Sequence, residues 1–230
     1  MASLAQPSSR FLTVSREYLT FDIYWTGINV GSALLEASAH GSEIIIISKI
    51  RSNSVLSAFY PVEDYAESRV SNGQATNFKL KQQEGKHRGD KETVFDLERD
   101  TVTFKNHLKS TAKSHPMNQR RLWDVISGFF FVRSMSLKVG TSVDVELFDS
   151  NRFASTKVKV LRTETVELPD GRKFDAIVIQ PLLKTEGLFK HKGEIFIWLT
   201  NDERRIPLMI EASIKIGTVT AILSGMNVEQ

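Results

Sequence analysis

The sequence predicts a mainly β fold: an antiparallel meander curled into a half-open barrel or sandwich of about a dozen strands, with one substantial helix packed against it. Three observations predict it. Residues 193–217, GEIFIWLTNDERRIPLMIEASIKIG, read as two long strands joined by a polar turn. Similar alternating runs, parted by Gly, Asn and Asp, recur through both halves of the chain. Between the halves lies one segment, 122–136, with helical spacing.

Taken in order, Leu19, Phe21, Ile23 and Trp25 alternate with Thr20, Asp22 and Tyr24, and Thr26-Gly27 permits a turn into a second strand towards Ala39. Ile44 to Ile47 are apolar on both faces, as a central strand requires. Residues 53–59 form a short helical or irregular bridge, and strands follow at 64–70, 75–82 and 93–104, parted by Asn72-Gly73 and a polar loop at 85–89. Residues 105–121 lack a clear period and any acidic side chain, and read as a long loop. In the helix that follows, Leu122, Val125, Ile126, Phe129, Phe130 and Arg133 keep three-and-four spacing, with Asp124 at the positive end of the dipole. Strands return at 143–147, 157–167 and 174–183, then the 193–217 hairpin and a last strand at 218–223.

In that hairpin Ile195, Ile197 and Leu199, and then Ile206, Leu208, Ile210, Ala212, Ile214 and Ile216, predict one purely aliphatic face. The opposite face would carry Phe196, Trp198 and Met209, so both faces need cover. Pro207 removes one ladder donor and predicts an edge, a bulge or a strand start.

A chain of 230 residues accommodates one large β domain or two small ones. A single domain over 18–225 is expected, with an extended or disordered segment at 1–17 and a tail at 226–230. Hydrophobic content of 41% and a formal charge of +3 are ordinary for a globular protein, and no apolar run is long enough for a spanning helix. The chain contains no cysteine, which excludes disulfides, thiolate metal sites, a cysteine nucleophile and a lipid anchor on an N-terminal cysteine. Residues 1–10 lack the charged start and apolar run of a secretory signal, although Ser3-Leu4-Ala5 has the small-residue character of a cleavage site.

Candidate chemistry is sparse. His40, His87, His107, His115 and His191 are scattered and share no ligand spacing, so no metal is expected. Gly-x-Ser-x-Gly is absent, Ser127-Gly128 falls inside the helix, and no catalytic residue or cofactor is assigned. Asn201, Asp202, Glu203, Arg204 and Arg205 concentrate charge at a hairpin tip, where a polar turn accounts for them better than acid–base chemistry. Lys109, Lys113, Arg120 and Arg121 in the acid-free loop, together with Arg204 and Arg205, are candidate contacts for an anionic head group or partner. Without interleaved aromatics the loop does not resemble a nucleic-acid platform. Trp25, Phe129, Phe130, Phe196, Trp198 and Met209 form a candidate apolar cavity between sheet and helix, with plain core packing as the alternative.

Four stretches carry a family resemblance: LTFDIYWTGINVG, DVISGFFFVRSMSLKVG, PDGRKFDAIVIQPLL and IFIWLTNDERRIPLMIEASIKIGTVTAIL. Over residues 18–225 the chain resembles the bacterial domain-of-unknown-function 3108 family, mostly exported and uncharacterised. The resemblance implies a periplasmic or cell-envelope β protein. At fold level it is also similar to the lipoprotein-localisation carriers, whose curved sheet has helical cover. The family supplies no catalytic residues.

The expectation is therefore a non-enzymatic envelope protein that binds a hydrophobic or amphipathic ligand, a lipid or acyl chain, in a β shell. The alternative is an envelope scaffold that holds a protein or polysaccharide through a sheet edge or the 201–205 turn. A glycan- or lipid-acting enzyme is the third reading, and it requires a converging polar set that the sequence does not display.

Overall fold

The computed structural model describes residues 11–117, 121–182 and 192–229. A first meander comprises β1 (Arg16–Trp25), β2 (Ile28–His40), β3 (Glu43–Ser52), β4 (Glu63–Ser71), β5 (Gln74–Glu84), β6 (His87–Asp96), β7 (Thr101–Asn106) and β8 (Thr111–Pro116), with the one-turn helix α1 (Ser54–Ser57) between β3 and β4. Helix α2 (Val125–Ser134) follows. A second meander comprises β9 (Ser142–Asp149), β10 (Arg152–Glu167), β11 (Lys173–Leu182), β12 (Lys192–Thr200), β13 (Pro207–Ile214) and β14 (Gly217–Glu229).

All fourteen strands join one antiparallel sheet, ordered from β8 back to β1, then β14 back to β9. Neighbours in the sheet are neighbours in sequence except at the centre, where β1 pairs β14 from Arg16↔Glu229 to Trp25↔Val219. The two edges, β8 and β9, are therefore linked by the segment that contains α2. Bulges at Thr20/Phe21, Ile23/Tyr24, Val160/Arg162 and Arg69/Val70 bend the sheet. The curl is deep enough to bring the two edges together. His115 of β8 lies with its ring 5.8 Å from Phe148 of β9, and its Nε2 is 2.7 Å from Asn151 Oδ1. The β9 edge is also covered by the chain itself: Trp123 N donates to Glu146 O and Phe148 N donates to Trp123 O.

Alternation along each strand splits the apolar side chains into two clusters. The larger holds Ile177, Ile179, Ile195, Ile197 and Val158 with Trp123, Phe130 and Phe131 of the α2 region; the second holds Trp198, Ala176, Val178, Ile206, Leu208, Leu19 and Leu223. β11 is thus buried on both faces.

Several elements depart from expectation. Residues 105–121 are not one long loop: β7 ends at Asn106 and β8 is an edge strand. Its residues are mostly exposed, so selection on an edge for Lys and small polar side chains erased the hydrophobic period. The single strand expected at 93–104 is a β6–β7 hairpin, whose turn is made by Asp96 Oδ1 accepting from Glu98 N and Arg99 N, without glycine. The loop expected at 85–89 shrinks to a two-residue turn. Helix α2 is shorter than 122–136, because Leu122 and Trp123 are extended along β9. The 226–230 tail belongs to β14 as far as Glu229. Finally, the aliphatic face of the last hairpin is broken. Trp198 pairs with Met209 but Leu199 with Pro207, leaving Leu208 as an extra residue. Pro207 opens β13 at this bulge, and Ile206 and Leu208 join the Trp198 cluster while Ile210 and Ala212 stay on the α2 side.

Candidate functional site

The site is the space that α2 leaves over the sheet. Asp124 caps the helix: its Oδ1 accepts from Ile126 N and Ser127 N, and Ser127 Oγ accepts from Asp124 N, closing a capping box. The other carboxylate oxygen accepts from Ser127 Oγ at 2.6 Å and from Ser68 Oγ of β4 at 2.7 Å. Complete burial raises the Asp124 pKa, and these hydrogen bonds act against that shift.

The other end of the helix is tied by Arg133. Its guanidinium donates to both Glu17 oxygens and to the carbonyls of Arg204 and Arg205, and it stacks 4.5 Å from the Phe130 ring centroid. At Gly128 the helix comes so close to β9 that a Cβ would stand 2.7 Å from Leu147 Cδ2.

Held at both ends, α2 spans the sheet without filling it. A cavity of about 480 Å³ remains between Val125, Ile126, Phe129 and Val132 of the helix and strands β1–β3 and β9–β14. Of its 24 lining residues only Ser48 and Thr156 are polar, and none is charged. Thr156 Oγ1 is buried and has no hydrogen-bond partner among the described residues. Among the described residues the lining offers no acid, base or nucleophile beyond these two hydroxyls. Among the described residues no cluster of His, Asp and Glu could hold a metal ion.

Of the six residues expected to line a cavity, only Phe129 does so. Phe130 is buried against Phe11, Phe129 and Arg133. Phe196, Trp198 and Met209 lie with the second cluster, and the Trp198 indole donates to Glu164 Oε1. Trp25 sits at a strand end with its indole donating to Ile216 O. The expectation chose the aromatic face of the hairpin, whereas the cavity belongs to the aliphatic one. Ile195, Ile197, Ile210 and Ala212 supply it, and their unbroken alternation was the available signal. Arg133, at a buried position of the helical stripe, was the signal for the tie to Glu17.

The basic candidates do not gather at the cavity. Lys109 and Lys113 are exposed on the β7–β8 hairpin; Arg121 is exposed beside Asp100 and Met117 in a smaller polar recess; Arg120 lies outside the described residues. Arg204 pairs with Asp202, and Arg205 donates to Thr200 O and Asn201 Oδ1, so both guanidinium groups are hydrogen-bonded within the turn.

The family whose description is "Protein of unknown function (DUF3108)" matches residues 20–224 of the chain. The chain belongs to the DUF3108 family. This DUF3108 protein is also similar to a solved structure, a beta-barrel-like protein of domain of unknown function DUF1849 from Brucella abortus. The TM-score is 0.63 at 11% identity, over 94% of this chain and 99% of the other. At that identity the likeness shows a shared barrel-like fold and nothing about activity. No curated protein matches the DUF3108 chain.

Proposed function

We propose that this protein is a cell-envelope binding protein, not an enzyme, whose cavity beneath α2 holds a hydrophobic or amphipathic ligand such as a lipid acyl chain. One observation carries the reading: an uncharged cavity of about 480 Å³ lies between helix and sheet where a close-packed core would otherwise be. Interiors pack to crystal-like density, so a void of this size, within the ~300–1,000 Å³ range of small-molecule sites, supports the reading by its volume and by its apolar lining. Transfer of an alkyl chain into it gains ~25 cal/mol for each Å² of apolar surface removed from water.

The described lining disfavours a buried ionic head, because among those residues a carboxylate or phosphate finds no cation to meet it inside. A single polar oxygen is accommodated, since Thr156 Oγ1 has a free hydrogen-bonding position. An acyl chain with its ester or amide near Thr156 and its head group outside satisfies both conditions.

The test is organic extraction of protein purified without detergent, followed by mass spectrometry. Stoichiometric recovery of one acyl-lipid class is the expected result. Cell fractionation tests the location, and recovery in the cytoplasm contradicts it.

A further inference from the structure

In an antiparallel meander, successive connections fall at alternate ends of the barrel. Among the described residues, one end carries 26–27, 53–62, 85–86, 107–110, 150–151 and 215–216. Contacts tie several of these turns into one rim. Asn53 Nδ2 donates to Asn29 O, the Trp25 indole to Ile216 O, and the Tyr60 ring packs on Gly85.

Two properties mark this rim. It is apolar at its tips: Phe59 is 87% exposed and Ile216 70%, with Ile28, Val55 and Tyr60 also exposed. Its described connections also lack carboxylates, for none of those six contains Asp or Glu, while Lys86, Lys109 and Lys215 stand on it; the sequence between β11 and β12, strands whose ends reach the same rim, adds Lys184, Lys190 and one carboxylate, Glu186. At the opposite end, connections 97–100, 168–172 and 201–206 mix Glu98, Asp100, Asp170, Asp202 and Glu203 with four arginines. Three carboxylates flank these connections at strand ends: Glu63, which is paired with Arg51, Glu84 at the end of β5, and Asp149 at the end of β9, which accepts from Ser150 Oγ.

The cavity reaches towards the same end. Its lining includes Ile23, Ile50 and Val219, each two positions from a strand terminus on this rim, whereas Arg133 fastens α2 to the 201–206 turn at the other end.

We infer that this rim docks on the head-group surface of an anionic lipid bilayer, with Phe59, Val55, Ile28 and Ile216 entering the interface and Lys86 and Lys215 meeting lipid phosphates. Separate protruding apolar tips interspersed with cations suit a soft, anionic surface. A protein interface would instead call for one contiguous, shape-complementary patch. The inference rests on the acyl-ligand reading for its purpose, because docking there would put the cavity mouth at the source of the ligand. Its geometry stands without that reading.

Co-sedimentation with phosphatidylcholine vesicles, with and without phosphatidylglycerol, tests it. Wild type should bind the anionic vesicles and release from them as salt is raised. The F59S/I216S variant should bind at least tenfold more weakly. K86E/K215E should lose about fivefold or more per charge. L97S, at the opposite end, should bind as wild type does. The rim variants should still take up a fluorescent acyl probe, and A212F, which fills the cavity, should still bind vesicles. Failure of docking and failure of the cavity are thereby separated. Absence of vesicle binding by wild type, equal loss in L97S, or capture of a protein through the rim without vesicle binding overturns the inference.

Discussion

The Arg133 guanidinium meets the Glu17 carboxylate through two hydrogen bonds of 2.9 and 2.7 Å, with the two side chains 4% and 3% exposed. One residue belongs to the last turn of α2 and the other to the first strand, so the pair fixes where the helix lies over the sheet. Breaking one side of such a pair leaves a buried charge unmet, at a cost of ~3–5 kcal/mol. R133M should lose stability of that order in urea unfolding, and R133M/E17L should recover most of it. A loss below ~1 kcal/mol in R133M would show that the tie is not structural.

At the other end of the helix, D124A removes the cap and the link to Ser68 together. It should cost ~2–3 kcal/mol, more than an exposed cap, because the Ser68 and Ser127 hydroxyls are left without their acceptor in a buried site. The acyl probe should bind more weakly in D124A, since Val125, Ile126 and Phe129 form the helix wall of the cavity.

Thr156→Val replaces the unpartnered hydroxyl with a methyl group of similar shape. The empty protein should gain ~1 kcal/mol in thermal or urea unfolding. The same variant should bind an acyl ester less tightly, while binding of a plain alkane probe is unchanged or improved. A stability loss in T156V would mean that the hydroxyl has a partner.

Asp64 gives the protein a pH dependence. Burial pushes its carboxyl up to about 6, with the neighbouring Glu84 adding to the shift and the Gln83 N–H opposing it. The folded protein therefore holds this proton more tightly than the unfolded chain, whose value is near 3.8. The stability from that proton is present at low pH and is lost as pH rises from about 4 through about 6. D64N should flatten the melting temperature against pH across this window; an unchanged slope would contradict the assignment.

How much of this was legible in the sequence follows from where periodicity operates. β1 and each arm of the last hairpin alternate in sequence because their two faces meet different surroundings, and α2 shows its stripe and its cap residue. β8 carries no period because an edge strand in water is selected for charge rather than burial. The β6–β7 turn was hidden because an Asp side chain, not a glycine, makes it. The cavity was legible as a need for cover on both faces of the hairpin, but not as a void, because filled and empty space demand the same side chains. Aromatic residues drew attention to the Trp198 face, where they pack; the smaller Ala212, Ala221 and Ile210 leave the room.

The central claim is that the cavity beneath α2 is the ligand site, and titration of a fluorescent acyl probe into wild type, A212F and A221F tests it most directly. Wild type should bind one probe per chain, and each filling variant should lose at least tenfold in affinity while remaining folded by circular dichroism. Equal binding by wild type and both filled variants, or no binding by any, would contradict it.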